Sequence, residues 1–313
     1  MRNAFAAEIT ALAQDDPRVV LLSGDIGNRL FDTFKDRHPD RFYNCGVAEA
    51  NMIGLAAGLA MNGLRRVAYT ITPFITTRCL EQIRVDVCYH DVSVTIVGVG
   101  AGLAYASLGP THHSCEDIAF LRALPNMAVL APGDPVEVRL GLREAVQRGH
   151  GTYMRLGKKG EAVIHKTPLE FEIGKAITVR EGGEVCLLST GNMLPEVIET
   201  AEKLHHAGIG AQVASFHTVK PLDTEYLQKA FRKFTLVVTA EEHSLIGGFG
   251  AAVAEWLSEQ PPQRAAIMRF GTADMFHHES GEQEHARHCF GLTAGQMAEK
   301  IRQRIRPALR ATA

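Results

Sequence analysis

The sequence predicts an α/β protein built on two mostly parallel, doubly wound sheets. Short apolar runs alternate with segments of helical length along the 313 residues, which is typical of a parallel sheet covered on both faces. The run 18-RVVLLSGD-25 is apolar on both faces, as a buried parallel strand would be. A polar stretch at 157–176 contains no clear helix. We therefore expect one domain over 1–160, a linker over 161–175 and a second domain over 176–313.

The predicted elements follow one another regularly along both halves. In the first half they are a helix at 3–14, a strand at 18–25, a helix after Glu49, a strand at 66–72, a helix at 76–90, a strand at 91–100, a helix at 115–124, a strand at 127–133, a helix at 135–148 and a strand at 152–157. In the second half they are a strand at 184–191, a helix at 194–207, a strand at 209–223, a helix at 224–232, a strand at 234–243, a helix at 248–258, a strand at 264–271 and a closing helix within 290–305.

Composition excludes several classes of function. The formal net charge is −2 and the longest basic cluster is 157-GKKG-160, so we expect no nucleic-acid partner. The apolar run at 52–61 is too short to span a bilayer, so we expect no membrane partner. The six cysteines form no CxxC pair, and the N-terminus contains acids where a signal peptide would be apolar. These features favour reduced thiols and a cytoplasmic location.

The segment 42-FYNCGVAEANMIGLAAGLAMNG-63 contains one carboxylate, Glu49, at the start of a helix that is apolar nearly all round. Such a helix is expected to be buried, and its small residues allow a neighbour to approach closely. A buried carboxylate requires a partner, which favours a functional role. The structural alternative is an acid that the helix dipole favours in the first turn.

Ligands of parallel sheets bind at the carboxyl ends of the strands, where four segments of the first half should meet. These are the loop after Asp25, Glu49, the Thr72-Pro73-Phe74 turn and the glycine-rich loop 98–114. The last segment ends in the pair His112-His113, which suits substrate contacts or proton transfer, or else only caps the loop. No metal ligands are assigned, because adjacent histidines do not readily share one ion.

The sequence lacks two common phosphate-binding motifs. It also contains one histidine-rich segment to which no function is assigned. There is no GxxxxGK[ST], and no GxGxxG opens a helix after the first strand. The segment 277-HHESGEQEHARH-288 could bind a metal, but its spacing matches no standard site, so an exposed loop is the favoured interpretation.

The order of five segments resembles the C-terminal half of transketolases, over about residues 3–305. The segments are GVAEANMIGLAAGLA, PFITTRCLEQIR, GPTHHSCEDIAFLRALPNMAVLAPGD, FHTVKPLD and AEEHSLIGGFGAAVAE. The resemblance implies a domain that binds the pyrimidine ring of thiamine diphosphate, followed by a transketolase C-terminal domain. It implies transfer of a two-carbon ketol unit from a ketose to an aldehyde.

The family's other half carries a Gly-Asp-Gly motif followed by an Asn, which holds the diphosphate and Mg2+. Neither 24-GDIG-27 nor 133-GDP-135 matches that motif. The chain therefore resembles the smaller subunit of a split transketolase. We expect an N-terminal partner subunit with the GDG…N motif and the Mg2+ ligands, an α2β2 heterotetramer with homodimeric contacts, and small sugar substrates.

The resemblance also implies roles for individual residues. Glu49 would activate the cofactor through N1′ of its pyrimidine ring, and Phe74 would stack on that ring. Asp25 would lie at the cofactor edge. His112 would contact a substrate hydroxyl and carry protons, with His113 beside it.

Substrate recognition is where the chain departs from the family. Leu108 replaces an aspartate that contacts a donor hydroxyl, and a phosphate-contacting histidine falls near Gly100. Arg155 matches a phosphate-binding arginine, and Arg29 stands near a phosphate-binding serine. We expect Arg29 and Arg155 to grip an anionic tail, phosphate or sulfonate.

Three other interpretations remain open. The β subunit of a 2-oxoacid dehydrogenase first component shares this domain order, and a deoxyxylulose-phosphate-synthase-like acyloin enzyme shares the cofactor. A catalytically silent chain would be expected to lack the acid or the aromatic residue, yet Glu49 and Phe74 are both present. Glu241, Glu242, His243 and 247-GGFGAAVAE-255 are interpreted as packing and subunit-interface features.

Overall fold

The computed structural model describes residues 1–27, 29–158, 160–166 and 168–311, with side chains described up to residue 305. Its strands are β1 Val19–Ser23, β2 Phe42–Asn44, β3 Arg65–Ile71, β4 Val94–Val99, β5 Ala128–Leu130, β6 Thr152–Leu156, β7 Ile177–Arg180, β8 Val185–Ser189, β9 Ala211–Ser215, β10 Thr218–Lys220, β11 Leu236–Ser244 and β12 Ala266–Thr272.

Helices cover the strands on both sides. They are α1 Arg2–Asp15, α2 Asp32–Arg37, α3 Glu49–Met61, α4 Thr72–Ile75, α5 Leu80–Gln82, α6 Asp117–Arg122, α7 Pro135–Gln147, α8 Leu194–His206, α9 Thr224–Lys233, α10 Phe249–Ser258, α11 Gln283–Cys289 and α12 Ala294–Ala311. A π-helix, Ile83–Tyr89, continues α5. None of these helices is both long and apolar enough to cross a bilayer.

The first sheet has the strand order β10-β5-β6-β4-β3-β1-β2. Its strands run parallel except β10, which pairs antiparallel with β5. One face packs against α1, α2 and α7 through residues such as Phe5, Phe34 and Leu142. The other face packs against α3, the π-helix and α6 through residues such as Met52 and Ile118. The sheet is therefore doubly wound, as the sequence predicts.

The second sheet has the order β12-β11-β8-β9-β7, with β7 antiparallel to β9 and the other pairs parallel. The predicted fold class, two mostly parallel doubly wound sheets, is thus confirmed. Between β6 and β7, the described residues form no helix or strand.

Several details differ from the sequence-based expectation. The histidine-rich segment 277–288, for which an exposed loop was the favoured interpretation, contains the helix α11. The predicted strand 209–223 is two strands, β9 in the second sheet and β10 in the first, because the chain crosses between the sheets at Phe216 and His217. In addition, α3 is not buried all round. Met52, Ile53 and Ala56 are buried, whereas Leu55 and Met61 are 41% and 56% exposed.

Candidate active site

Glu49 is the first residue of α3 and lies where the helix meets the carboxyl edge of the first sheet. Ala48, the residue before it, offers no side-chain cap. The carboxylate of Glu49 in the first turn complements the positive end of the helix dipole. Glu49 is only 4% exposed. Its Oε2 accepts a hydrogen bond from Nη1 of Arg78 at 2.6 Å. Oε1 accepts none from the part of the chain that the structure describes.

Arg78 links the acid to the predicted aromatic residue. It follows α4, which begins where β3 ends, and its guanidinium carbon lies 4.5 Å from the centre of the Phe74 ring. The stacked, ion-paired guanidinium fixes both side chains in relation to each other. Sequence reasoning did not identify Arg78 as a site residue, although it lies within the family segment PFITTRCLEQIR.

Phe74 and His112 form the next contact along the edge. Their ring centres lie 5.2 Å apart, with an edge-to-face angle of 69°. The hydroxyl of Thr72 donates to the carbonyl of Val99 at 3.1 Å and so ties the end of β3, with Phe74 just beyond it, to the end of β4. Nδ1 of His112 lies 3.0 Å from the hydroxyl of Thr111. Three of the predicted site residues, Glu49, Phe74 and His112, are therefore brought together.

Tyr105 and Lys158 extend this group, and sequence reasoning missed both. The Tyr105 ring lies 6.2 Å from that of His112, and Nζ of Lys158 lies 4.9 Å from the centre of the Tyr105 ring. Gly100 makes room for the tyrosine, because a Cβ there would lie 1.8 Å from the Tyr105 ring, and its φ is +77°. The departure from the family histidine at this position therefore has a physical reason. The spacing of glycines in the 98–114 loop was the only sequence signal.

Asp25 lies on the same edge, at the end of β1. Its Oδ1 accepts a hydrogen bond from the side-chain amide of Asn44 at 3.1 Å, and its backbone N–H donates to Gly46 at 3.2 Å. Both contacts are to the segment that leads into α3. A role for Asp25 toward the cofactor stays a prediction.

Arg155 makes its contacts within the chain, and its predicted substrate contact stays a prediction. This side chain lies in β6, is 2% exposed, and points between the two sheets. It donates to the carboxylate of Asp117 at 2.8 Å and to the carbonyls of Ser114 and Glu242 at 3.1 and 2.9 Å. Burial alone would raise the pKa of Asp117, but the charge of Arg155 holds it below its usual value. Arg155 fastens the two halves of the chain together.

Arg29 lies apart from Arg155, so the geometry gives no support to the predicted pair that binds an anionic tail. Arg29 follows β1, which is separated from β6 by β3 and β4, or about 14 Å across the sheet. It lines a groove with Arg37 and the α1 residues Asn3, Ala7 and Thr10. That groove lies on the α1 face, whereas α3 covers the opposite face.

His113 is directed away from its neighbour. Its Nε2 lies 3.3 Å from the carbonyl of Ala106, and its ring lies 6.0 Å from that of His277 in the second half. Burial lowers the pKa of His113. The predicted substrate contact of His113 has no support in this geometry, because the side chain faces the second half of the chain.

The acids of the second half are buried packing groups. Glu241 accepts hydrogen bonds from the backbone N–H groups of Phe249 and Gly250 at 2.6 and 2.7 Å, at the start of α10. Burial raises its pKa to about 7. Glu242 accepts from the N–H of Leu103, in the glycine-rich loop, at 3.0 Å. Glu242 thus joins the second sheet to the loop of the first half, whereas Glu241 caps α10 within the second half.

Two protein families match the chain. Residues 1–160 match the family described as transketolase, pyrimidine binding domain, and residues 174–297 match transketolase, C-terminal domain.

Named relatives span nearly the same length. The 6-deoxy-6-sulfo-D-fructose transketolase subunit SqwH of Clostridium sp. (strain MSTE9) is 37% identical, over 95% of this chain and 92% of its own. One of the subunits of the apulose-4-phosphate transketolase of Actinobacillus succinogenes (strain ATCC 55618) is 34% identical, over 85% of each chain. A solved structure described as a split gene transketolase, inactive beta4 tetramer, is 34% identical with a TM-score of 0.89, over 96% of this chain and 97% of that one.

Proposed function

This chain belongs to the transketolase family and is a subunit of a thiamine-diphosphate-dependent transketolase, a transferase, and we propose that it works only with an N-terminal partner subunit on an anionic ketose. The observation that carries the proposal is the group formed by Glu49, Arg78, Phe74 and His112 at the carboxyl edge of the first sheet.

The residues present fit the pyrimidine end of thiamine diphosphate. One oxygen of Glu49 has no hydrogen-bond partner among the described residues, and Arg78 contacts both Glu49 and the flat ring of Phe74. The cofactor supplies, when bound, the nucleophilic carbon that takes up the two-carbon unit. Oε1 of Glu49 would hold a proton at the ring nitrogen N1′, and Phe74 would pack on the ring. His112, next along the edge, holds or receives the proton of a substrate hydroxyl.

An anionic group at the far end of the ketose would meet Lys158 in place of Arg155. The Lys158 amine lies over the ring of Tyr105, and that ring lies 6.2 Å from the ring of His112, so the amine belongs to the same group of side chains. An ammonium attracts phosphate and sulfonate alike as a point charge. The two named relatives act on a sulfo-sugar and on a sugar phosphate, so both anions are candidates.

A partner subunit would cover the exposed side of α3. Leu55 and Met61 are exposed on this helix, and Val47 just before it is 78% exposed. An apolar face of this kind is typical of a subunit interface. Because the sequence contains no GDG…N motif, we propose that the partner holds the diphosphate and Mg2+ in an α2β2 heterotetramer. The six free thiols favour a cytoplasmic location.

Within the chain, we propose the domain division 1–160 and 176–313 with the linker 161–175. The extents of the two matching families, 1–160 and 174–297, support this division.

Calorimetric titration of thiamine diphosphate with Mg2+ tests the partnership. The chain alone should bind the cofactor weakly and transfer no ketol unit, because it contributes only the pyrimidine side. The chain co-purified with an N-terminal transketolase subunit from the same genome should bind tightly and turn over a sulfonated or phosphorylated ketose. Tight binding together with turnover by the chain alone would refute the proposal.

A further inference from the structure

Helix α11 and the segment before it bring together side chains of the kind that bind transition metals. His285 and Cys289 are four residues apart on α11, so they lie on one face of the helix. Cys289 Sγ lies 3.6 Å from Nε2 of His285. His277 reaches the same place from the preceding segment, and the three potential ligand atoms lie within 4.8 Å of one another.

His277 gives an independent indication of a ligand. Its side chain is 6% exposed, and its Nε2 is buried without a hydrogen-bond partner in the part of the chain that the structure describes. A buried polar nitrogen without a hydrogen-bond partner costs free energy, so such groups are rare in native structures and call for an explanation such as a bound ligand. The rings of His113 and Phe290 pack on either side of it, at 6.0 and 5.5 Å, and hold it in place.

We propose that His277, His285 and Cys289 bind one zinc-class divalent ion, with Glu279 at the fourth position. Zinc prefers a tetrahedral set of nitrogen and sulfur ligands, with Zn–N about 2.0–2.1 Å and Zn–S about 2.3 Å. Those lengths place nitrogen and sulfur about 3.6 Å apart, which matches the pair on α11. Oε2 of Glu279 lies 3.0 Å from His285 Nε2 and 3.5 Å from Cys289 Sγ, so a carboxylate adjoins both.

The protonation states and charges of the four proposed ligands favour the binding of a divalent ion. Cys289 releases its thiol proton to solvent and binds as the thiolate, while both histidines bind neutral. Thiolate and carboxylate together neutralise the divalent charge. This set differs in kind from the oxygen ligands that Mg2+ requires, so the ion is a different one from the cofactor's metal.

The ion would fasten α11 against the loop that carries His112. Gln283 and Arg287 of α11 donate to the carboxylate of Glu242 at 2.9 and 2.7 Å, and Glu242 in turn accepts the N–H of Leu103 in that loop. Ala286 packs against Leu103 and Ala106. A bound ion would therefore hold α11 in the position from which it contacts, through Glu242, the 98–114 loop that carries His112.

Cobalt(II) and zinc titration of the metal-stripped full-length chain tests the proposal without any measurement of activity. One ion should bind per chain, and Co2+ should give a thiolate-to-cobalt charge-transfer band with tetrahedral d–d absorption. Zinc should also raise Tm in a thermal scan. Cys289→Ser and His285→Gln change exposed side chains that the fold does not need, and each should weaken binding by at least ~100-fold.

His278→Asn and His288→Asn are the matched controls, because both residues are exposed histidines of the same segment that lie outside the group. Both variants should bind as tightly as the unmodified chain. The proposal is overturned if the unmodified chain binds no stoichiometric ion, or if Cys289→Ser retains the charge-transfer band.

Discussion

Arg78 holds Glu49 across 29 positions of the sequence, with 2.6 Å between Nη1 and Oε2. The acid is nearly buried, with 5% of its side chain exposed, whereas 45% of the arginine side chain is exposed. One carboxylate oxygen is thus held by Arg78, and the proposed function assigns the other to the cofactor. The pair orients the acid before any cofactor arrives, which lowers the entropy cost of binding.

Glu49→Gln should abolish ketol transfer while leaving the fold intact. A glutamine keeps the shape but cannot hold a proton at a ring nitrogen as a carboxylate does, so kcat should fall by about 10²–10⁴-fold. Steady-state kinetics of the assembled enzyme measure this. Glu81→Gln, an exposed acid near Arg78 in sequence, is the control and should keep full activity. Retained turnover in Glu49→Gln would remove the acid from its proposed role.

Arg78→Met should lower kcat and weaken cofactor binding together, since Glu49 and Phe74 both lose the group that orients them. Arg78→Lys restores the charge without the planar fork, so it should recover only part of the loss. Cofactor titration and kinetics of both variants measure this. If both variants bound the cofactor as tightly as the unmodified chain does, the orienting role of Arg78 would be contradicted.

Lys158→Met should raise KM for an anionic ketose by about 10-fold and leave kcat nearly unchanged, because the amine attracts the anionic tail in ground and transition states alike. The increase should vanish for a neutral ketose of the same length. Lys166→Met removes an exposed lysine nearby and should change neither value. A loss of kcat without a change in KM would assign Lys158 to another task.

Arg155→Met should destabilise the chain by about 3–5 kcal/mol, because it leaves Asp117 buried without its partner. Urea denaturation measures the loss. Arg264→Met, on the surface, should cost nothing measurable. If Arg155 instead bound substrate, its removal would raise KM and leave the unfolding midpoint where it was.

The pair His165–Glu137 should make stability depend on pH. Nε2 of His165 lies 2.9 Å from Oε1 of Glu137. Burial would lower the pKa of His165, but Glu137 and Asp134 raise it above its usual 6.5, so this contribution is complete below that value and is lost as pH rises through the folded pKa. Burial would raise the pKa of Glu137, but His165 and other donors hold it below 4.5, so its contribution is lost as pH falls through the folded pKa.

The stability lost in His165→Asn should therefore be largest between about pH 4.5 and 6.5 and should shrink above that range. Urea midpoints across pH measure it, with the exposed His205→Asn as the control. A loss that is the same at every pH would show that the histidine contributes packing alone.

Much of the fold was predictable because strands such as β1, β4 and β8 are buried on both faces and most helices carry apolar residues at a helical period. The crossing at Phe216 and His217 was not predictable, since β9 and β10 form one apolar run in the sequence. Only the three-dimensional arrangement assigns the two strands to different sheets.

The site was predictable in part. Glu49, Phe74 and His112 lie at strand ends or a helix start, where periodicity identifies the sheet edge. Lys158 was not predicted, although it lies only three positions beyond Arg155, around the end of β6. Arg155 is the last residue but one of the strand and is directed inward, whereas Lys158 lies beyond the strand. Arg78 was not predictable as a site residue, because its contact with Glu49 joins residues 29 positions apart in the sequence.

The strand β10 also determines how the chain must fold. The first sheet receives its edge strand from Thr218–Lys220, some sixty positions beyond β6, so that sheet is incomplete until the ribosome has made about a third of the second half. A fragment that stops at residue 160 would expose the edge of β5, an unpaired apolar strand that invites aggregation. The two halves are therefore separate in architecture but interdependent during synthesis.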